Sequence, residues 1–233
     1  MTNEEVLKPI FTTLHDKILN GDFVIDKTGK KCVELIALRV ELDPTQPILN
    51  FPGRKTPIKY CEAESKWYHS MDLSVKEIGQ VADIWNKIAS KDGMINSNYG
   101  WCIYSKDNGN QYDHSLEELK INKDSRRACH IYNRPSMQTD YNKNGMSDFM
   151  CTFATQQFIR NDELIYVVMM RSNDAIFGFF NDFYWHCEVY DEMYHDLLAT
   201  YPELEIGKII WVANSFHVYE RHFEMLKEMV SEE

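Results

Sequence analysis

Apolar side chains recur at helical spacing from the start of the chain. Within the first 18 residues they fall on one helix face, at Val6, Ile10, Phe11, Leu14 and Ile18. The same periodicity predicts further helices over residues 62–69, 75–90 and 181–201, and a last one from residue 219 onward. The helix over 75–90 is expected to end at the polar, glycine-containing segment that follows it.

Other runs of the sequence are typical of β-strands. The predicted strands cover residues 32–42, 128–134, 148–160, 164–170 and 208–213. A turn is expected at 27–30, a proline-rich loop at 44–57, and a tight turn at 161–163. Helices and strands do not alternate regularly, so we expect an α+β fold in a single domain over residues 1–233.

Composition narrows the class of protein. Hydrophobic residues make up 44% and aromatic residues 13% of the 233 positions, as in a globular domain. The net charge of −11 repels phosphate backbones, so direct nucleic-acid binding is not expected, although a small phosphorylated substrate needs only a local basic cluster. No signal peptide or membrane span is predicted. The six cysteines are widely spaced without a C-x-x-C pair, which favours a reducing, cytoplasmic setting.

Few residues point to chemistry when each is taken alone. A single cysteine such as Cys151 is more often a small buried hydrophobic residue than a nucleophile. The pairs Arg126–Arg127 and Arg171–Ser172 could present forked donors and a hydroxyl to a phosphate. Most arginine pairs, however, are solvated or bound to acidic neighbours.

A metal site is not predicted. Glu192 and His195 form one Glu-x-x-His pair, but di-iron bundles need two such pairs and further carboxylates. His217 and His222 are five residues apart, which does not place both on one helix face.

Two long segments change this interpretation when they are considered together. Residues 124–151, DSRRACHIYNRPSMQTDYNKNGMSDFMC, and 171–185, RSNDAIFGFFNDFYW, resemble the signatures of the thymidylate synthase family. The segments DKTGKK, INSNYGW, YNRPSMQ, DYNKNGMSDFMCT and MRSND are more similar to the hydroxymethylase branch of that family found in T-even-type bacteriophages. The similarity extends from about residue 20 to residue 223.

The resemblance implies a fold and an assembly. Members of this family have a large mixed β-sheet covered by helices, and one sheet face packs at a homodimer interface. The active sites are then shared between two subunits. The phage branch also implies work in the host cell cytoplasm, in association with other nucleotide-synthesis enzymes.

The resemblance also assigns the catalytic residues. Cys151 falls on the family's nucleophilic cysteine, which adds to carbon 6 of a pyrimidine nucleotide. Glu64, in ESKWY, falls on the glutamate that organises water for proton transfer. A thiolate is the reactive form of cysteine, and a cation such as Arg171 is expected to favour it.

Further positions match binding residues of the family. Arg171 and Ser172 match phosphate ligands of the same subunit, whereas Arg126 and Arg127 match a pair that reaches into the neighbouring subunit's site. Lys27 stands where the family has a phosphate-binding arginine. Lysine keeps the positive charge but lacks the forked N–H donors of a guanidinium. The remaining matches are His217 and Tyr219 for the sugar 3′-hydroxyl, Trp85, Asp174 and Gly178 for folate, and Tyr99 with Gly100 for a loop closing over the nucleophile.

Three departures from thymidylate synthases concern specificity. Thr152 replaces a usual His, Met170 a usual Gln, and Asp182 the asparagine that reads uracil. A carboxylate accepts from the amino group of cytosine and repels the O4 of uracil, so Asp182 predicts dCMP as substrate. The alternative is that Asp182 merely caps the helix beginning there.

The implied reaction uses 5,10-methylenetetrahydrofolate as co-substrate, without a metal. Thymidylate synthases complete it with a hydride and leave a methyl group, whereas hydroxymethylases admit water and leave a hydroxymethyl group. The sequence favours hydroxymethylation of dCMP. The alternatives are thymidylate synthesis from dUMP, hydroxymethylation of dUMP or CMP, and an inactive relative that serves in binding or assembly.

Overall fold

A mixed β-sheet forms the centre of the molecule in the computed structural model, which describes residues 1–26 and 29–231. The strands are β1 Val24–Ile25, β2 Lys31–Leu42, β3 Asn50–Phe51, β4 Arg54–Lys55, β5 Cys129–Ile131, β6 Thr152–Arg160, β7 Glu163–Met170, β8 Asn173–Asp174 and β9 Glu205–Tyr219. The α-helices are α1 Asn3–Leu19, α2 Ile58–Ser70, α3 Ile78–Val81, α4 Asp83–Ile88, α5 Tyr99–Tyr104, α6 Gln111–Ile121, α7 Met137–Asp140, α8 Gly178–Leu198 and α9 Phe223–Val230.

The main sheet has the strand order β1-β2-β9-β7-β6-β5, and β8 adds to β9. β9 runs antiparallel to β2 and parallel to β7, while β6 is antiparallel to both β7 and β5. This mixture of parallel and antiparallel pairs, with helices packed against it, confirms the predicted α+β class and its large mixed sheet.

Helix α8 supplies much of the buried core over one sheet face. Its aromatic residues Phe179, Phe183 and Trp185 are at most 1% exposed, and Phe179 packs edge-on against Trp211 of β9. The strands alternate buried and half-buried positions along β6 and β7. One sheet face is therefore covered by the helix, while the other remains half exposed.

Several predicted elements are confirmed with small shifts in their ends. α1 begins with a capping box between Thr2 and Glu5 and buries the predicted apolar face. The turn between β6 and β7 places Asn161 and Asp162 at positive φ, as a tight hairpin turn requires. α8 begins three residues before its predicted start, and β9 extends beyond 208–213 at both ends.

The single helix predicted over 75–90 is wrong. Two short helices, α3 and α4, stand there instead, because Ala82 has extended backbone angles of φ −142° and ψ 116°. The amide of Asn86 donates to the carbonyl of Gly79 at 2.9 Å. This side chain satisfies a carbonyl that a continuous helix would have bonded within its own backbone.

Other boundaries also differ from the prediction. The strand predicted from residue 148 begins at Thr152, and the strand predicted over 128–134 shrinks to β5. The loop over 44–57 contains the β3–β4 hairpin, and α5 and α6 were not predicted. In the described residues, no helix has both the length and the apolar character needed to cross a membrane.

Candidate active site

Cys151 lies directly before β6, beside the residue that follows β7. The backbone amide of Arg171 donates to the carbonyl of Cys151 at 2.8 Å, and the guanidinium Nη2 lies 3.7 Å from the sulfur. Arg171 is held there by its own bonds to the carbonyls of Met150 at 2.8 Å and Phe149 at 2.6 Å. The paired ends of two strands thus bring a thiol and a cation together.

The thiol is protonated at neutral pH in the free chain. Burial raises the pKa of Cys151 to about 11, and nearby carboxylates, Asp182 first among them, add to this shift. Arg171 lowers the pKa, in the expected direction, but burial outweighs it. The expected direction of the Arg171 effect is thus confirmed, although burial leaves the pKa of Cys151 above its ordinary value in the chain without substrate.

Asp182 faces the same site from inside α8. Because this helix begins at Gly178, Asp182 lies one turn beyond its start, and the alternative that it caps the helix is wrong. The amide of Asn173 donates to its Oδ2 at 2.8 Å. Burial raises the pKa of Asp182 well above its usual value, and the neighbouring Glu64 raises it further.

Tyr99 lies between these groups. It is 4% exposed and hydrogen-bonds Thr152. Burial raises the pKa of Tyr99, and the nearby Asp182 and Cys151 raise it further. Tyr99 was expected in a loop, together with Gly100, but both begin helix α5. The ring of Tyr99 stacks on Tyr68 of α2 at 5.2 Å between centroids, so packing between α2 and α5 holds it in place.

Gly100 permits that helix pair to approach closely. A Cβ on this residue would lie 1.9 Å from the carbonyl oxygen of Tyr68. Only glycine allows this contact between backbones, and the contact in turn fixes where Tyr99 stands.

Glu64 is a buried carboxyl of α2 with three aromatic neighbours. Tyr60, one helical turn earlier, donates its hydroxyl to Glu64 Oε1 at 2.5 Å, and Trp85 donates its indole N–H to the Tyr60 oxygen at 2.9 Å. Tyr68 also hydrogen-bonds Glu64. Burial raises the pKa of Glu64 to about 7, which places its titration at neutral pH.

Asp174 and Gly178 lie where β8 leads into α8. Asp174 Oδ1 accepts from the amides of Ile176 at 2.9 Å and Phe177 at 3.2 Å. Its Oδ2 lies 4.0 Å from His222 Nδ1. A Cβ on Gly178 would sit 3.6 Å from Asp182 Oδ2, so the backbone of this glycine borders the Asp182 carboxylate.

The residues matched to the sugar lie beside Asp174. β8 pairs with β9 so that Asp174 stands opposite His217. His217 is 7% exposed and packs edge-on against Tyr219, with 4.9 Å between the ring centroids. Burial lowers the pKa of His217, which keeps the imidazole neutral at pH 7. Ser172 occupies the link between Arg171 and β8.

Arg126 and Arg127 do not join this cluster within the chain. Both are exposed before β5, and Arg127 donates to Glu118 of α6 at 2.9 and 3.0 Å. The backbone carbonyl of Arg126 accepts from Gln156 at 2.9 Å. Lys27 lies outside the described residues.

Sequence reasoning missed Tyr60, Tyr68 and Asn173. Tyr60 is four residues before Glu64, a spacing that places both on one helix face and could have revealed the pair. Asn173 stands within the RSND motif itself. Nothing in the linear sequence, however, indicated that it bonds Asp182.

The clefts of the molecule do not single out the site. A cleft of about 600 Å³ runs along α8 past Tyr184 and Glu188. A smaller one of about 330 Å³, lined by Gln138, Tyr141, Phe149 and Arg171, opens beside Cys151. This smaller cleft is the one lined by Arg171, whose guanidinium lies 3.7 Å from the Cys151 sulfur. Among the described residues, no three His, Cys, Asp or Glu side chains are grouped to hold a metal ion.

Comparison with known proteins identifies the class to which this fold and site belong. The model of the thymidylate synthase family matches residues 10–233, and the chain belongs to that family. It is 47% identical over 229 residues to proteins of Enterobacteria phages T6 and T4 named deoxycytidylate 5-hydroxymethyltransferase, covering 97% of this chain and 89% of each of them. It is 26% identical over 226 residues to the thymidylate synthase of Francisella philomiragia subsp. philomiragia, covering 92% of this chain and 80% of that protein. The resemblance inferred from the motifs is thus confirmed.

Proposed function

We propose that this chain is a deoxycytidylate 5-hydroxymethyltransferase. It converts dCMP, 5,10-methylenetetrahydrofolate and water to 5-hydroxymethyl-dCMP and tetrahydrofolate. The observation that carries the proposal is a carboxyl group, Asp182, in the same site as the Cys151 thiol, at the position where thymidylate synthases have asparagine. The 47% identity to phage proteins of this name supports it.

Cys151 begins the reaction by adding its sulfur to carbon 6 of the pyrimidine, which makes carbon 5 nucleophilic. The guanidinium of Arg171, 3.7 Å from the sulfur, stabilises the thiolate once the proton has left. Carbon 5 then attacks the one-carbon unit of the folate co-substrate, and loss of the folate amine and of the proton on carbon 5 leaves an exocyclic methylene group. In the last step the sulfur departs from carbon 6 and the ring double bond returns.

Glu64 acts as the general base for the attacking water. With a pKa of about 7, its carboxyl can take a proton from water near neutral pH as the oxygen attacks the exocyclic methylene. The hydroxyls of Tyr60 and Tyr68 hold the carboxylate in position for this step. Trp85 donates to the Tyr60 hydroxyl, so this candidate for folate contact is linked to Glu64 through one intervening side chain.

Asp182 reads the base. The Asp182 carboxylate accepts from the cytosine amino group and shares a proton with cytosine N3, whereas an oxygen that serves as an acceptor repels the O4 of uracil. Burial and the neighbouring Glu64 raise the pKa of Asp182, which favours a proton on or near this carboxyl. Discrimination of this kind is worth several powers of ten when the site is closed to water.

The other predicted ligands keep their proposed roles. Arg171 and Ser172 bind the phosphate, with Lys27 as a further cation. His217 and Tyr219 bind the sugar, as their adjacent positions at the end of β9 support. Trp85, Tyr99, Asp174 and Gly178 border the folate.

A homodimer completes the phosphate site in this proposal. The half-exposed sheet face carries an apolar group of side chains, Leu38, Phe158, Ile165, Val167, Met169, Ile210 and Val212. An apolar sheet face of this kind is a natural interface for a second copy. Arg126 and Arg127 are exposed before the edge strand β5, where they can face a neighbour, and Arg127 would exchange its bonds to Glu118 for the phosphate. Residues 1–233 form one catalytic domain per subunit, acting in the host cytoplasm beside other nucleotide-synthesis enzymes.

Rates with dCMP and dUMP test the proposal directly. The protein is incubated with methylenetetrahydrofolate and each nucleotide, the nucleotide products are quantified by mass spectrometry, and any formation of dihydrofolate is followed by absorbance. We expect turnover of dCMP without dihydrofolate, and a shift of preference towards dUMP in Asp182→Asn. Dihydrofolate formation would identify a thymidylate synthase instead, and an unchanged ratio in the variant would remove the role of Asp182.

Cys151→Ser provides the complementary variant. Turnover is expected to vanish because the serine hydroxyl is a far weaker nucleophile, while dCMP binding by equilibrium dialysis persists. Cys129→Ser, on the edge strand β5, is the matched control and keeps its activity. Turnover by the Cys151→Ser protein would rule out covalent catalysis by this residue.

A further inference from the structure

Asn173 connects the proposed base-reading carboxylate to the protein core. Its amide nitrogen donates to Asp182 Oδ2 at 2.8 Å, and its amide oxygen accepts from the indole N–H of Trp211 at 3.2 Å. Asn173 is 2% exposed and Trp211 is fully buried. The three side chains form a directed hydrogen-bond chain from β9, through β8, to α8.

The side-chain types determine which group donates and which accepts in each of these hydrogen bonds. An indole N–H can only donate, so the oxygen of the Asn173 amide must face Trp211. The amide NH₂ must therefore face Asp182, and Asp182 Oδ2 must accept. A carboxyl oxygen that accepts an N–H bond is the less favourable site for the acidic proton, so the proton belongs on Oδ1.

We propose that Asn173, oriented by Trp211, is a positioning residue that keeps Asp182 Oδ2 an acceptor for the cytosine amino group and directs the proton on Oδ1 towards ring atom N3. This inference rests on the proposed function. Oδ2 has two lone pairs, so it can accept from Asn173 and from the base at the same time. Uracil would present its O4 to an oxygen already committed as an acceptor, and the two would repel.

The surroundings of Asp182 leave this role to Asn173. In residues 1–26 and 29–231, Asn173 is the hydrogen-bond partner found for the Asp182 carboxyl. The charged or titratable groups that act on it are Glu64 from α2 and Asp174 from β8, both acidic, and Tyr99 from α5 lies close by. Acidic neighbours favour a protonated Asp182 but cannot determine which oxygen holds the proton. The Asn173 donor can.

The test is a double-mutant cycle read as the dCMP-to-dUMP ratio of kcat/KM. Asn173→Ala is expected to lower this ratio by about two-fold to ten-fold, the range of a hydrogen bond between neutral groups. Trp211→Phe frees the amide to rotate, so it lowers the ratio as well. In the Asn173→Ala background, Trp211→Phe changes the ratio no further, because no amide remains to be oriented.

Asn181→Ala is the matched control, since this neighbouring asparagine contacts Cys61 and not Asp182. Its ratio stays at the wild-type value. Thermal unfolding checks that each variant is folded, and Asn173→Ser replaces Asn173→Ala if the latter is not. An unchanged ratio in the Asn173 variants, or additive effects of the two substitutions, overturns the inference.

These outcomes separate the inference from the function on which it rests. A wild-type protein that prefers dUMP contradicts the proposed function before any variant is made. A wild-type protein that prefers dCMP, with variants that keep this preference while kcat falls equally for both nucleotides, contradicts only the role of Asn173.

Discussion

At the scale of single residues, the site holds three groups whose pKa values burial has moved in the same direction. Cys151 rises to about 11, Glu64 rises to about 7, and Asp182 rises well above its usual value. Burial therefore favours the protonated form of all three groups, next to the Arg171 cation. Shifted pKa values of this kind are typical of groups that exchange protons during a reaction.

Glu64 gives this description a pH dependence. The carboxylate form takes the proton from water, so activity depends on deprotonation with a pKa of about 7. Values of kcat/KM for dCMP should fall as the pH decreases below about 7, because the protonated form accumulates. Glu64→Gln should lower kcat by about 10²- to 10⁴-fold, the usual contribution of a general base, and should remove this acidic limb.

The measurement is a pH–rate profile of both proteins between pH 5.5 and 9, a range chosen to span the titration at about 7. Glu62→Gln, on the same helix α2, is the control and keeps the acidic limb. A limb that persists in Glu64→Gln would assign the titration to another group.

At the scale of elements, the sequence predicted what short-range periodicity controls. The faces of α1 and α8 and the hairpin between β6 and β7 are local patterns, and the structure has them. The break between α3 and α4 depends on the Asn86 side chain, and the position of Tyr99 depends on packing between α2 and α5. Such contacts join residues whose meeting no periodicity encodes, so the prediction failed there.

The same limit applied to the site. Family resemblance supplied Cys151, Glu64 and Asp182, and the structure brings these three into one electrostatic cluster. It could not supply the bond from Asn173 to Asp182, since this depends on the register of β8 against β9. Nor could it supply the balance between burial and cation at Cys151.

Gly100 tests the packing that positions Tyr99. Gly100→Ala should lower the free energy of unfolding by about 3 kcal/mol or more, because its Cβ would meet the Tyr68 carbonyl at 1.9 Å. Denaturant unfolding provides the measurement. Gly178→Ala is the control for stability, since its nearest atoms lie at 3.6 Å, and it should change stability by less than about 1 kcal/mol. Equal stability of the Gly100→Ala and wild-type proteins would mean that α2 and α5 are farther apart than described.

At the scale of the whole molecule, the proposed dimer shares its phosphate sites. Arg126 and Arg127 are exposed, and in residues 1–26 and 29–231 their hydrogen bonds go to Glu118 and Gln156 and not to the Cys151 cluster. In the proposed dimer a second subunit brings them to a site. An inactive Cys151→Ser protein and an inactive Arg126→Ala/Arg127→Ala protein should therefore complement each other. Random reassociation should restore about a quarter of wild-type activity, because half the dimers are mixed and each mixed dimer has one intact site.

The two proteins are mixed, reversibly dissociated and assayed with dCMP. The control is a mixture of the Cys151→Ser and Glu64→Gln proteins. These two residues belong to the same subunit's site, so a mixed dimer has no intact site and no activity should return. Activity would return only if the two residues came from different subunits. Complementation in the control together with none in the arginine mixture would reverse the assignment of residues to subunits.

The central claim is that this family member hydroxymethylates dCMP. Its most direct test is a competition in one tube, with equal dCMP and dUMP and an excess of methylenetetrahydrofolate, followed by identification of the nucleotide products by mass spectrometry. The account predicts 5-hydroxymethyl-dCMP as the dominant product, with its new oxygen derived from isotopically labelled water. Thymidylate as the dominant product, or hydroxymethylated dUMP in excess over hydroxymethylated dCMP, would contradict it.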